Sequence, residues 1–449
     1  MGVEVIKRIV RWASIAALSG VLVICGLLSG QDKAPASDRK ASDAYWPQWQ
    51  GPVKDAKSTD TGLMKKWPAA GPKMLWSVDK IGDGYSSVTI ADGVIYISGA
   101  VKKQGFITAI KADGSVKWRK GYGREWTKTF PGARASVTIS NGRLFVFSGA
   151  GVVACLDAKS GEKKWSVDVV SKFKGRHIWW GYGESLLVVD DKVICTTGSD
   201  KGSIVALNVN DGAMVWKTEK LSEKASYSSP IVIKRGGKKL IIQLLTHCLA
   251  VVDASNGRVM CKYALNGYRR KHEDYDYAEN TNTPLYDGGF VYVTSGYDAG
   301  GAKLKLSEDG RKLTKVWENH DLDVHHGGFV LVDGHIYGSN WITNSKGRWI
   351  CVNWKTGKTK YAHDWDGRKG AIGYADGMLY CYQERTGRLA LVRPGPDKFE
   401  IVSSFKITKG KKEHWAHPVI CGGVLYVRHG DVLMAYDVKA KPAPPLPGV

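Results

Sequence analysis

Residues 153–165, V-A-C-L-D-A-K-S-G-E-K-K-W, carry the reading of this chain. Alternating apolar positions make the first half a strand, Ser160-Gly161 turns the backbone, and a second strand closes on an indole. The same pattern returns at residues 108–118, 205–216, 249–261 and 350–361. Its closing residues fall at Trp76, Trp118, Trp165, Trp216, Cys261, Trp317, Tyr361 and Phe405, a mean spacing of 47 residues. That period matches the blades of a propeller rather than helical repeats.

A tight-turn pair recurs once per repeat: Asp92-Gly93, Asn141-Gly142, Asp190-Asp191, Gly236-Gly237, Gly288-Gly289, Asp333-Gly334, Asp376-Gly377 and Gly422-Gly423. Such pairs supply the positive φ that two-residue hairpins require. Eight of them predict an all-β, eight-bladed propeller with four-stranded blades over residues 45–438. A ring protects the exposed strand edges, so the strand near residues 73–78 is expected to pair with residues 424–428 and 432–437. Trp118, Trp165 and Trp216 should then be buried alike between blades. Composition agrees: 53 glycines and 17 tryptophans in 449 residues favour short strands and tight turns over a helical bundle.

The flanks read differently. Lys7, Arg8 and Arg11 precede an uncharged run over residues 12–28, so residues 1–30 read as a secretion signal or an N-terminal anchor. Lipidation at Cys25 is the third outcome. A polar linker over residues 31–44 and a Pro-rich tail over residues 439–449 flank the repeats. Cys155, Cys195, Cys248, Cys351 and Cys381 sit in apolar strand-like runs and read as small buried hydrophobes. A formal charge of +22 favours anionic partners, an acidic polysaccharide among them. The basic clusters lack the interleaved aromatics of a nucleic-acid platform, so nucleic acid is not expected.

The strand leading into each turn pair should be the innermost of its blade. Counting back along it places small residues such as Ser87, Ser136, Ser185 and Ser229 where eight strands converge. Two positions earlier comes a varied ring containing Tyr85, Arg134, Tyr227, His326, Lys369 and Trp415, with Glu184, Asn282 and His325 beside it. These residues are expected around the mouth of an axial funnel. His325 and His326, as strand neighbours, should point to opposite faces and not share a metal.

Trp46-Pro-Gln-Trp-Gln-Gly-Pro52, the D-A-K-S-G-E-K-K-W repeat and Tyr227-Ser-Ser-Pro230 resemble the exported PQQ-like β-propeller repeat proteins of bacteria. The resemblance implies an envelope or periplasmic address. It also implies two trades: quinoprotein dehydrogenases holding pyrroloquinoline quinone (PQQ) and calcium, and the cofactor-free propeller lipoprotein of the outer-membrane β-barrel assembly machinery. Carried over from the quinoproteins, it gives Glu184 and Asn282 as calcium ligands, with Arg134 and Lys369 as the cationic clamp. Tyr227 and Trp415 would be cofactor contacts, and Asp323 or His326 would stand near the place of the base. The sequence departs from that pattern: His326 occupies the expected Asp position, the adjacent-cysteine pair is missing, and no Trp lies between Trp216 and Trp317 for a stacking floor. The expectation is therefore a monomeric binding or scaffolding propeller without a cofactor. An envelope protein or anionic polysaccharide would meet its funnel, and an N-terminal anchor or lipid would tether it. A PQQ- and calcium-dependent dehydrogenase of alcohols or sugars is the alternative.

Overall fold

In the computed structural model the structure describes residues 44–267 and 279–441. The expected signal, most of the linker and residues 442–449 of the tail lie outside the described residues. Among the described residues thirty-two strands form eight four-stranded antiparallel sheets, and the helical elements are Val169–Phe173 and a single 3-10 turn, Leu265–Gly267. No helix among the described residues is long and apolar enough to cross a membrane.

Each blade runs outward in chain order from a short inner strand. The second blade, for example, is Thr138–Ser140, Arg143–Phe147, Val152–Asp157 and Lys163–Asp168. The eighth closes the ring as expected: Met74–Val78 pairs outside Val432–Asp437, with Ser77 opposite Met434. Asp92, Asn141, Asp333 and Asp376 take φ of 46–51° and their following glycines 69–76°, the geometry those turns demand. The third blade departs from the expectation, because only Asp190 (φ 55°) of its Asp190-Asp191 pair enters the left-handed region.

The closing aromatic of a repeat docks on the next blade. Trp76, Trp118, Trp165 and Trp216 donate their indole N–H to Ala112 O, Lys159 O, Val209 O and Ala254 O at 2.8–3.1 Å. Their rings lie against the turn glycines Gly114, Gly161, Gly212 and Gly257, where a Cβ would come within 2.7 Å of the indole. Asp157 fixes such a turn by accepting N–H bonds from Lys159 and Ser160. The burial of these indoles is not uniform: Trp165 and Trp216 are 8% and 7% exposed, but Trp118, on the outer face, is only half-buried.

Apolar clusters fill the spaces within and between sheets, and Cys155, Cys195, Cys351 and Cys381 are fully buried in them. All cysteines among the described residues are unpaired thiols, and burial raises the Cys155 pKa to about 11. The inner serines link blade to blade: Ser87, Ser136 and Ser185 each donate a backbone N–H to the hydroxyl of Ser136, Ser185 and Ser229 in turn, at 2.9–3.0 Å.

Residues 46–60 form a strap inside the ring of inner strands, with Trp46, Gln50, Lys54 and Ala56 buried. The strap bonds to the inner strand or adjoining loop of every blade. In blade order its contacts are Ile90, Ile139, Leu186, Pro230, Thr283, Leu331, Tyr374 and Gly423.

Candidate funnel site

Strand entrances and the tips between second and third strands share one end of a blade, so both surround the same mouth of the channel. There they enclose a cavity of about 310 Å³. Tyr85, Arg134, Tyr227, His326 and Trp415 line it, as does Thr281, each from the strand entrance of its own blade. Lys369 does not. It is buried in the wall, its ammonium 2.6 Å from Glu384, whose other oxygen lies 3.3 Å from His326 Nε2.

The floor is the strap. Trp49 faces the cavity, donates its indole N–H to Thr283 Oγ1 at 3.0 Å, and packs against His417 with ring centres 4.6 Å apart. The stacking surface for which the repeats offered no Trp thus comes from the opening motif. Phe130 and Trp180 lie on loops before the inner strands, and Phe130 meets both Trp180 and Trp415 along the rim. Arg134 donates to the carbonyls of Thr129, Phe130 and Gly132 at 2.9–3.1 Å, fastening that loop, and its guanidinium lies 6.0 Å from the Tyr227 ring centre. The Tyr227 hydroxyl donates to Trp180 O, and Trp180 Nε1 donates to Glu279 Oε1 at 2.6 Å.

His325 and His326 overturn the expectation of opposite faces. They precede the strand Phe329–Val332, so no strand alternation separates them; their ring centres are 4.3 Å apart and both border the cavity. Burial, reinforced by the Lys369 charge, holds both imidazoles well below the usual histidine pKa. Burial also lowers Lys369 and raises Glu384, opposed in each case by the attraction between them.

Asp323, Glu184 and Asn282 lie behind the wall. Asp323 accepts N–H bonds from Asp298 and Trp341 at 2.9 and 3.2 Å, and burial raises its pKa to about 8. Both Glu184 oxygens face the Thr196 N–H at 3.1 and 3.2 Å. The Asn282 amide donates to Thr294 O, Val324 O and His325 O. The Lys54 ammonium, brought in by the strap and 4% exposed, reaches Ser185 O, Leu186 O and Pro230 O at 2.9–3.4 Å. Burial lowers Lys54 and raises Glu184, and each charge partly restores the other. A calcium ion bridging Glu184 and Asn282 does not fit this arrangement. The two side chains do not border the cavity, backbone groups take them up, and the charge of the tethered Lys54 already acts on the carboxylate. Among the described residues no three His, Cys, Asp or Glu side chains converge as a metal site.

Sequence reasoning missed Trp49, Phe130, Trp180, Tyr297, Glu279 and Arg385, all of which line the cavity. Tyr297 and Arg385 sit on hairpin tips between second and third strands. Those tips fall on the mouth side by simple strand counting, a signal that was available.

Eight four-stranded blades, aromatic-to-glycine docking and an axial cavity define a PQQ-like β-propeller. A family model described as outer membrane protein assembly factor BamB matches residues 103–363, more than half of the chain, and the chain belongs to that family. The outer membrane protein assembly factor BamB of Shewanella oneidensis is 28% identical over 278 residues, 59% of this chain and 66% of that protein. An uncharacterized protein of Rickettsia conorii is 23% identical over 231 residues, half of each chain. Among solved structures, BamB from Moraxella catarrhalis has a TM-score of 0.61 at 15% identity, over 82% of this chain and 99% of that one. Quinohemoprotein alcohol dehydrogenase from Comamonas testosteroni has a TM-score of 0.65 at 12% identity, over 92% and 83%. At those identities the structural likeness speaks for the fold alone.

Proposed function

We propose that the chain is a cell-envelope scaffold that assists outer-membrane protein assembly, binding an envelope partner at its funnel mouth rather than oxidising a substrate. Membership of the assembly-factor family supports this reading. The observation that carries it is the Lys54 strap. The chain fills its own channel, and a buried ammonium accompanies the carboxylate that a quinoprotein would offer to calcium. Export by the N-terminal segment, with residues 1–30 serving as cleaved signal or anchor, places the propeller in the periplasm as a monomer. Depleting the protein in its host tests the proposal. Folded outer-membrane β-barrel proteins should fall in heat-modifiability assays of envelope fractions, and unchanged levels would refute the assembly role. Titration of the purified chain with PQQ and calcium should leave the quinone spectrum unaltered; calcium-dependent uptake with dye-linked alcohol oxidation would install the dehydrogenase in its place.

A further inference from the structure

The funnel cavity joins two kinds of surface that are seldom adjacent. Trp49 lies at its floor and Trp180 and Trp415 at its sides, while between them come flat polar groups: Glu279, Asn344 and Arg385. A pyranose ring has the matching duality. Its C–H face seeks an aromatic surface, and its edge of hydroxyls seeks planar side chains that donate and accept in pairs. The volume, about 310 Å³, stands at the lower end of small-ligand pockets.

The sign of the charge selects among sugars. Arg134 and Arg385 both border the cavity. The partners of Arg134 are neutral carbonyls, which orient its guanidinium without cancelling its charge. Arg385 is exposed and has no hydrogen-bond or ion-pair partner among the described residues. On the opposite side of the account stands Glu279, one oxygen of which already holds the Trp180 indole. Burial disfavours charge on the neighbouring imidazoles. The buried Glu125 and Glu384 carboxylates act on Arg134 and Arg385 from behind the wall, Glu384 being already paired with Lys369, and neither lines the cavity. A formal charge of +22 on the whole chain adds attraction at long range.

Because the strap blocks the channel beneath Trp49, a polymer cannot thread through the ring. The cavity receives an end. We infer that it binds the terminal unit of an acidic saccharide, a hexuronate whose ring stacks on indole and whose carboxylate pairs with Arg385. This inference rests on the funnel being a binding mouth and is independent of the assembly role.

The test is calorimetric titration of the purified chain with short oligogalacturonates, neutral malto-oligosaccharides of the same length, and a peptide ending in phenylalanine. Oligogalacturonate should bind one to one, about tenfold or more tighter than the neutral sugar, and should weaken with added salt. Arg385→Ala should lower the uronate affinity by about tenfold and remove the preference over the neutral sugar, since a bidentate charged pair is lost. Trp415→Ala should weaken both sugars. Lys172→Ala, an exposed cation on the Val169–Phe173 helix, should change nothing. Circular dichroism confirms that each variant is folded. Absence of saturable uronate binding, preference for the peptide, or an Arg385→Ala variant equal to Lys172→Ala would each overturn the inference. Uronate binding with unchanged outer-membrane proteins on depletion would keep this site and remove the assembly role; the opposite pair of results would do the reverse.

Discussion

Lys54 shows how much one side chain can decide. Its ammonium lies among three backbone carbonyls from the third and fourth blades, with Glu184 as its compensating charge. Lys54→Met keeps the bulk but leaves a buried carboxylate without its cation, and should destabilise the fold by about 2 to 4 kcal/mol. The double variant Lys54→Met/Glu184→Gln should recover much of that loss, as urea unfolding of the four proteins in the cycle will reveal; simple additivity would mean the charges are not coupled. His417 makes a second residue-scale case. Its Nε2 donates to His326 O at 2.8 Å, and burial depresses its pKa to about 4 from the usual 6.5. Between those values the unfolded chain takes a proton that native His417 refuses, so stability falls as pH drops from 6.5 towards 4 and levels off below. The size of that fall is about 3 kcal/mol. His325, His326 and His414 are depressed too, so the wild-type loss is a sum. His417→Gln removes only its own share, and urea midpoints at pH 7 and pH 5 should therefore diverge less for that variant than for wild type.

At the scale of the blade, what the sequence repeats is what the structure uses repeatedly. The turn pairs and closing aromatics were legible because each recurs about every 47 residues and each answers a fixed geometric need. The ring at the funnel mouth followed from the turn register, since a short inner strand leaves little freedom in where its entrance falls. Trp49 and Lys54 were not legible as site residues, because the strap occurs once and periodicity gives no purchase on a unique segment. The His325-His326 geometry escaped for another reason: alternation was applied to residues that precede the strand, which begins only at Phe329. Glycines separate the two contributions to the repeat experimentally. Gly142 (φ 69°) has open space where a Cβ would go, so Gly142→Ala should cost only backbone strain, about 1 kcal/mol. Gly212 (φ 72°) has the same strain and, in addition, places that Cβ 2.7 Å from the Trp165 ring. Gly212→Ala should lose at least about 1 kcal/mol more than Gly142→Ala in equilibrium unfolding. Equal losses would mean that indole docking does not hold neighbouring blades together.

For the whole molecule, closure has two independent fasteners, and they should fail differently. Met74–Val78 completes the eighth sheet by pairing along Val432–Asp437. Without it, that strand presents an unpaired edge of N–H and C=O groups, a template for joining other chains. A chain beginning at residue 80 should therefore self-associate on size exclusion even where its far-ultraviolet spectrum remains β-rich. The strap over residues 46–60 instead bonds to all eight blades from inside, and the strand edges it pairs with, at Ile90, Ile139 and Tyr374, are inner ones that face the channel rather than other chains. A chain beginning at residue 62 keeps the closing strand but loses those bonds, the Trp46 and Trp49 packing and the Lys54 cation. It should stay monomeric, melt at lower temperature over a broader range, and expose the buried Glu184 carboxylate to a newly opened channel. The strap would then be what makes eight separately packed sheets unfold as one, because a bond to every blade passes the loss of any single blade to the rest. A shorter chain that melted as sharply and as hot as the longer one would show that blade-to-blade docking alone supplies that cooperativity, and that the strap serves only as the floor of the funnel.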